Sequence, residues 1–234
     1  MQRRGFTLME LLVVISIIMV LAGMILGAVS MIRRQAREVQ CRNNLQQIGI
    51  GITRYQQENG NLFPPHLTAM LAHGQALGDE SAKILRCGFD TKKGTDPQMG
   101  RPGQWGDLHE LYDSGSSYQF EAAQITMFAP DQGGGWTYWK VLPGSGLPPS
   151  PLWTDDGRTT WAEAKAYQLK HGNLTNPFSP SQVPIVRCFW HQTWDPLNPN
   201  STTPKVVNLA WDVSVFLSIP FWEHQANPAI PFPN

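Results

Sequence analysis

The chain has 234 residues, in which 18 Lys and Arg balance 18 Asp and Glu, and only 15% of the residues are charged. It has no Gly-X-Y period, which excludes a collagen-like fibre, and its 41% hydrophobic content with nine Trp argues against wholesale disorder. The zero net charge hides a division: residues 1–60 carry +4 and residues 61–234 carry −4, and all Pro and Trp residues follow residue 60. The sequence has no basic face large enough for nucleic acid, so we predict no such partner.

The first predicted element is a helix that spans a membrane. Residues 11–32 form a run of 22 residues without a charge, which as a helix is about 33 Å long and exceeds a hydrocarbon core of about 30 Å. Two signal peptides are alternatives: a Sec signal cut at the small residues 28–30, giving a soluble form that starts near Met31, and a twin-arginine signal opened by Arg3 and Arg4. The run is too long for the first and more hydrophobic than is usual for the second.

The residues before this run carry a specific motif. Residues 3–15, RRGFTLMELLVVI, resemble the N-terminus of type IV pilins and type II secretion pseudopilins of bacteria. In that family a short basic leader ends in Gly, and prepilin peptidase cuts after the Gly and N-methylates the new first residue. The resemblance implies cleavage between Gly5 and Phe6 and methylation of Phe6. The partners that it implies are prepilin peptidase, other pilin or pseudopilin subunits, the inner-membrane assembly platform and the lipid bilayer.

Glu10 is an acidic residue at the edge of the apolar run and becomes the fifth residue of the mature chain. A carboxylate costs about 2.5–3.5 kcal/mol at the centre of a bilayer and less near its surface, so it is a functional candidate. We expect it to pair with the α-ammonium group of Phe6 on a neighbouring subunit during assembly. The alternative is that Glu10 lies at headgroup depth and is solvated there.

Two signals for the orientation of the predicted span disagree with each other. Arg3 and Arg4 precede the span, whereas four Arg follow it within residues 33–42, and this count places the C-terminal side in the cytoplasm. The resemblance implies the reverse, with the leader in the cytoplasm and the body outside the inner membrane. We follow the resemblance and predict a single-pass inner-membrane protein.

Beyond the span the helix continues with one apolar stripe. The stripe repeats at spacings of four and three residues, which predicts an amphipathic helix packed on the rest of the chain, and it comprises Cys41, Leu45, Ile48, Ile52 and Tyr55. Asn59-Gly60 is a helix stop. Residues 41–65 also resemble a subgroup of bacterial pilin-like proteins that read C-x-N-N-L-x-Q-I-G, then Tyr, then a Pro pair. The predicted divisions are a leader at 1–5, an assembly half at 6–32, an amphipathic half at 33–60 and a globular body at 61–234.

The body is predicted to add short helices and an antiparallel sheet to the long helix, an α+β fold. A short helix is predicted at 67–77. A second is predicted to open at a capping box, Thr160–Glu163, and to end before Gly172. Strands are predicted at 136–142, 183–190 and 206–219, the last of them a hairpin that turns near Asp212. The subgroup has Asp-Gly-His-Val at this turn. Here Val213 stands in place of the Gly, and since Val resists positive φ, we expect another turn type or a shifted hairpin.

Three cysteines are present, at positions 41, 87 and 188. The similar contexts of Cys87 and Cys188 in the subgroup imply a disulfide between them in an oxidising compartment, with Cys41 left packed against the body. One alternative is that the cysteines stay reduced and buried. The other is a zinc site that uses Cys188 and His191, which we disfavour because two further ligands at zinc-like spacing are absent from the sequence.

The remaining candidates for chemistry are few, and we predict no metal and no cofactor. Some G-type pseudopilins bind calcium through a C-terminal loop, and the calcium candidates in this chain are Asp155, Asp156 and Asp195, although no regular ligand spacing joins them. The sequence has no nucleophile elbow, P-loop or HExxH motif, so we predict that the protein is not an enzyme. The predicted function is a structural subunit of a type IV pilus or a type II secretion pseudopilus. The alternatives are an unassembled membrane-anchored binding module and an exported lectin or enzyme.

Overall fold

The computed structural model describes residues 8–72, 81–96, 111–125, 160–171, 177–191 and 206–220, together with residues 222 and 226. The chain divides into two compact units, Met1–Val39 and Gln40–Asn234. The predicted strand at 136–142 lies outside the described residues.

The long helix α1 runs over 51 residues, Leu8–Glu58. It is free of Pro, and its first half is apolar on every face, so the helix can form without an amphipathic pattern. None of its most apolar 18-residue window is buried within the structure, and by length and composition this window can cross a membrane. Over its described residues from Leu8 onward, the first unit therefore presents an exposed apolar helix surface.

In the second unit α1 becomes amphipathic, as its apolar stripe predicts. Four residues of the stripe are buried and Tyr55 packs against them, so the buried members are Cys41, Leu45, Ile48 and Ile52. The predicted stop at residues 59–60 is also confirmed, because α1 ends at Glu58 and Gly60 adopts a φ of 64°. The Asn59 side-chain amide donates to the Tyr55 carbonyl at 2.9 Å and so caps the last turn.

Short helices follow in the body. Helix α2 is Ala69–Ala72, inside the predicted 67–77, and α3 is Ser81–Ile84. Helix α4 is Trp161–His171, and the predicted capping box opens it. The Thr160 N–H donates to Glu163 Oε2 at 2.8 Å, and the Glu163 N–H donates to Thr160 Oγ1 at 3.2 Å.

The sheet of the described residues has four antiparallel strands in the order β1–β2–β3–β4. These are β1 Gln119–Phe120, β2 Pro184–Cys188, β3 Val206–Ala210 and β4 Val215–Ser218. Each strand pairs with the next, and Cys188 at the end of β2 lies opposite Val207 of β3. The α+β fold class, with a long N-terminal helix followed by a small antiparallel sheet, is therefore confirmed.

The turn between β3 and β4 lies at Asp212, as predicted, but Val213 itself adopts a positive φ of 68°. Asp212 Oδ1 accepts hydrogen bonds from the N–H and the hydroxyl of Ser214, which fixes the turn locally. Val213 also packs close to α1, where a Cβ added at Gly49 would lie 2.5 Å from Val213 Cγ1. Packing between helix and hairpin thus offsets the backbone strain that makes Val unfavourable in such a turn.

Candidate functional site

The apolar half of α1 begins with the candidate assembly residue Glu10, which lies in the first turn of the helix. A carboxylate there interacts favourably with the partial positive charge of the helix N-terminus. The large apolar side chains described on both sides of Glu10, between Leu8 and Ile25, are exposed to 43–81%. So much exposed apolar surface is typical of contact with lipid or with other protein chains. The predicted cleavage residues Gly5 and Phe6 lie outside the described residues.

The second candidate site is a group of side chains in the second compact unit, the Cys3His cluster. One ligand atom from each of its four residues lies within 4.8 Å of every other, and its members are Cys41, Cys87, Cys188 and His191. The three cysteines are buried, with exposed fractions of 0–4%, and the histidine is partly buried. Cys87 Sγ lies 3.5 Å from His191 Nε2.

The fold brings this cluster together from three distant segments. Cys41 belongs to the buried stripe of α1, Cys87 follows α3, and Cys188 ends β2. His191 lies three residues after Cys188, and its ring packs edge-on against Phe89 with centroids 4.6 Å apart. The elements that build the core therefore also orient the cluster, which is packed into the core rather than displayed on a flexible loop.

Hydrogen bonds within the cluster separate the pKa values of the three thiols. The Cys188 and Cys41 thiols, donating to Cys87, hold its pKa far below the usual range of a thiol. The Phe89 N–H also lies 3.5 Å from Cys87 Sγ and favours its thiolate. Burial raises the pKa of Cys188 well above its ordinary value, and the hydrogen bonds of Cys188 with Cys41 and Cys87 raise it further. A hydrogen bond with Cys188 lowers the pKa of Cys41, but the hydrogen bond with Cys87 and burial outweigh it and raise that pKa.

Two polar side chains, Tyr118 and Asn44, interact with each other beside the cluster. Burial raises the pKa of Tyr118, and negative charge on the cysteines raises it further. The Asn44 side-chain amide lies 3.3 Å from the Tyr118 hydroxyl and donates to the Arg86 carbonyl at 3.0 Å. These contacts tie α1 to the segments that carry Cys87 and β1.

The structure changes two expectations about the cysteines. All three are free, so the disulfide that the resemblance implies between Cys87 and Cys188 is not formed in it. Cys41 is not merely left over, because it shares the cluster with both of them. The sequence has no two further ligands at zinc-like spacing beside Cys188 and His191, but the fold places Cys41 and Cys87 next to this pair. The calcium candidates Asp155, Asp156 and Asp195 lie outside the described residues.

A buried ion network, separate from the cluster, joins β1, α4 and β2. Glu121 Oε2 lies 2.6 Å from Lys165 Nζ, and Glu121 Oε1 lies 3.2 Å from Arg187 Nη1. Burial by itself would raise the pKa of Glu121, but the two cations outweigh it and lower that pKa below its ordinary value. Arg187 also donates to Asn208 Oδ1 at 3.0 Å and to the Pro220 carbonyl at 2.6 Å. Each charge is therefore paired, and the network holds the sheet to the helix.

Comparison with known families decides the class of the N-terminal segment. Residues 1–26 match the model of the prokaryotic N-terminal methylation motif. The chain carries the N-terminus of a type IV pilin-like or pseudopilin-like protein. A second model, described as a protein of unknown function (DUF1559), matches residues 30–81 of the pilin-like chain. Comparison with curated proteins and with solved structures gives no match.

The motif indicates that the pilin-like chain is processed by prepilin peptidase, and with the apolar helix it indicates a membrane-anchored protein. Pilin-like families are typically structural rather than enzymatic. The two matched segments contain Cys41 and end before Cys87, Cys188 and His191. The Cys3His cluster is thus a feature of the second compact unit that the motif does not explain.

Sequence reasoning missed the cluster as a unit, although two signals for it were available. Cys188 and His191 have the C-x-x-H spacing that metal ligands often show, and Cys41 lies on the buried stripe. The sequence could not indicate that Cys41 and Cys87 lie next to Cys188 and His191. Cys41 is 46 positions before Cys87, and Cys87 is 101 positions before Cys188. Only the packing of α1 on the sheet brings them together.

Proposed function

We propose that this pilin-like chain is a structural subunit that assembles through α1 into a type IV pilus or a type II secretion pseudopilus. Assembly follows cleavage between Gly5 and Phe6 and methylation of Phe6. The observation that carries the proposal is the exposed apolar half of α1, most of which lies within the methylation-motif match at residues 1–26 and which has Glu10 in its first turn.

The apolar half of α1 needs a nonaqueous environment at every stage. Each Å² of apolar surface removed from water is worth about 25 cal/mol, and the exposed side chains of residues 8–25 amount to a continuous apolar surface. The bilayer supplies that environment before assembly, and the helices of neighbouring subunits supply it afterwards. The same helix thus serves as membrane anchor and as filament core.

Glu10 gives this otherwise nonspecific contact a fixed register. Cleavage creates a new α-ammonium group on Phe6, and inside a bundle of apolar helices the Glu10 carboxylate of one subunit pairs with the ammonium group of another. The net gain is limited because desolvation opposes it, whereas an unpaired buried charge is strongly unfavourable. Subunits in the wrong axial position leave both charges unpaired and are rejected.

The proposed location follows from this role. The leader lies in the cytoplasm, α1 crosses the inner membrane once, and the body lies outside it until the assembly platform extracts the subunit. The Arg residues at 33–42 oppose this orientation by the positive-inside rule. Attaching a reporter enzyme that is active only outside the cytoplasm after residue 234 tests the orientation directly: activity supports it, and inactivity reverses it.

The experiment that tests assembly compares Glu10→Gln with Glu58→Gln in cells that express the full chain. Glu58 is also an exposed glutamate of α1, at its other end, and so is a matched control. We expect Glu10→Gln to remain in the membrane, processed but absent from the sheared or cross-linked filament fraction, and Glu58→Gln to assemble normally. Normal assembly of Glu10→Gln overturns the role of Glu10. A wild-type chain that persists only as a membrane monomer overturns the subunit role and favours an anchored binding module.

A further inference from the structure

We propose that the Cys3His cluster is a structural zinc site in the second compact unit of this pilin-like chain. The chemical basis is the donor set, because three thiolates and one imidazole are a common ligand set of structural Zn²⁺ and a poor one for calcium or magnesium. The proposal is independent of filament assembly, since every ligand belongs to the second compact unit, Gln40–Asn234.

The distances fit a tetrahedral ion with a small contraction. With Zn–S of about 2.3 Å and Zn–N of about 2.0–2.1 Å, neighbouring ligand atoms of a tetrahedron lie about 3.4–3.8 Å apart. The Cys87 Sγ to His191 Nε2 distance of 3.5 Å already has this value. The ligand atoms of all four residues lie within 4.8 Å of one another, so the widest separation closes by about 1 Å when the ion binds.

The burial of the cluster indicates a structural zinc site rather than a catalytic one. A catalytic zinc keeps one coordination position for water or substrate, whereas a structural zinc is closed by four protein ligands. Here four ligands are present and the cysteines are buried, so a bound ion has no position left for substrate. The His191 ring is the ligand nearest solvent and marks the side from which the ion enters.

Binding balances both protons and charge. Each cysteine that is a thiol before binding loses its proton to solvent and coordinates as a thiolate through Sγ. His191 coordinates as neutral imidazole through Nε2, the atom that faces Cys87. No electron is transferred, and three thiolates with one Zn²⁺ leave a net charge of −1. Ligands that lie far apart in sequence are joined, so the ion links α1, the segment after α3 and the end of β2.

Zinc also explains why all four side chains share one space. A disulfide uses two cysteines and leaves the third thiol and the imidazole packed against it without a role. A metal uses all four. In an oxidising compartment the ion also protects the thiolates, because a coordinated sulfur is a poorer partner for disulfide formation than a free thiolate.

The test uses the full chain, extracted from membranes in detergent without reductant. Metal content is measured by mass spectrometry of the elements, and the three thiols are counted by alkylation. The metal is then removed with a chelator and a reductant, and Co²⁺ alone is added as a spectroscopic probe. We expect about one zinc per chain, three thiols that become reactive on denaturation, and a cobalt spectrum of a tetrahedral thiolate site that Zn²⁺ displaces.

Two variants make the test specific to the cluster. His191→Gln removes the partly exposed ligand and is expected to weaken cobalt binding by at least about 100-fold and to shift the spectrum. His66→Gln changes a partly buried histidine outside the cluster and leaves both unchanged. Circular dichroism confirms that the chains compared are folded. Equal cobalt binding by the wild type and His191→Gln, a wild type without the tetrahedral spectrum, or a native Cys87–Cys188 disulfide overturns the proposal.

Discussion

Cys87 Sγ lies 3.5 Å from His191 Nε2, although the two residues are 104 positions apart in the chain. Cys41 and Cys188 complete the group, so the long helix and the sheet meet at four potential metal ligands. In our account the body is exported to a compartment where unprotected thiols oxidise. A metal and a disulfide are therefore the two available cross-links between these segments. A chelator removes the metal and leaves a disulfide intact.

Removing the metal is expected to destabilise the body reversibly. A ligand that binds only the folded state adds about 4 kcal/mol of stability when its free concentration is a thousand times its dissociation constant. We expect chelation under reducing conditions to lower the melting temperature of the detergent-extracted chain, Zn²⁺ to restore it, and Mg²⁺ to have no effect. A disulfide-linked body would instead lose stability with reductant alone and show no response to Zn²⁺.

The buried ion network makes a prediction about Glu121. Glu121→Gln keeps the shape of the side chain but removes the carboxylate that faces the buried Lys165 and Arg187, so we expect a loss of about 3–5 kcal/mol in the free energy of unfolding. Glu163→Gln changes an exposed glutamate of the α4 capping box and should cost about 1 kcal/mol or less. Urea unfolding of the two variants measures the difference. Equal losses would show that the network contributes nothing beyond a surface contact.

The same glutamate predicts an acid limit to stability. The folded-state pKa of Glu121 is lowered relative to the unfolded state, so its contribution is fully present above the unfolded value of about 4.3. That contribution is lost as the pH falls through the lower, folded-state pKa. We expect the free energy of unfolding of the wild type to decrease below about pH 4, and more steeply than that of Glu121→Gln. Identical pH profiles for the two chains would contradict this assignment.

At Gly49, α1 packs closely against the β3–β4 hairpin. A Cβ at this position would lie 2.5 Å from Val213 Cγ1 and 3.1 Å from Leu209 Cδ1. Gly49→Ala gains about 1 kcal/mol of helix propensity, but we expect overpacking, which typically costs 1–3 kcal/mol, to outweigh it. The control Gly23→Ala meets no atom within 4 Å and should not destabilise the chain.

Val213→Gly provides the second half of this test. It removes the side chain that meets Gly49 and also relieves the positive φ of Val213. We therefore expect Val213→Gly to cancel most of the cost of Gly49→Ala in the double variant, measured by urea unfolding. Additive effects of the two substitutions would show that the residues are not in contact.

The parts of the fold that the sequence predicted are those that depend on short spacings. The buried stripe from Cys41 to Ile52 repeats every three or four residues, and the capping box at Thr160 spans a single turn. The hairpin at Asp212 likewise follows from two adjacent apolar runs. In each case the signal and the structure that it specifies occupy the same stretch of chain, so no tertiary information is needed.

The parts that the sequence did not predict depend on distant contacts. The positive φ of Val213 depends on α1 packing across it, and the pairing of Glu121 with Lys165 and Arg187 depends on β1 lying beside β2. The Cys3His cluster is the extreme case, because three segments must pack correctly before its ligands meet. No local pattern contains that information, and the resemblance that favoured a disulfide addressed only two of the three cysteines.

Maturation as a pilin-like subunit leaves a defined N-terminus, so the mass of the N-terminal peptide distinguishes this role from the alternatives. The peptide is taken from the native protein after extraction from membranes and from any filament fraction. Our account predicts a chain that begins at Phe6 and carries one added methyl group in both fractions. A chain that begins at Met1, or one that begins beyond Ser30, would contradict it and indicate an uncleaved anchor or an exported soluble protein.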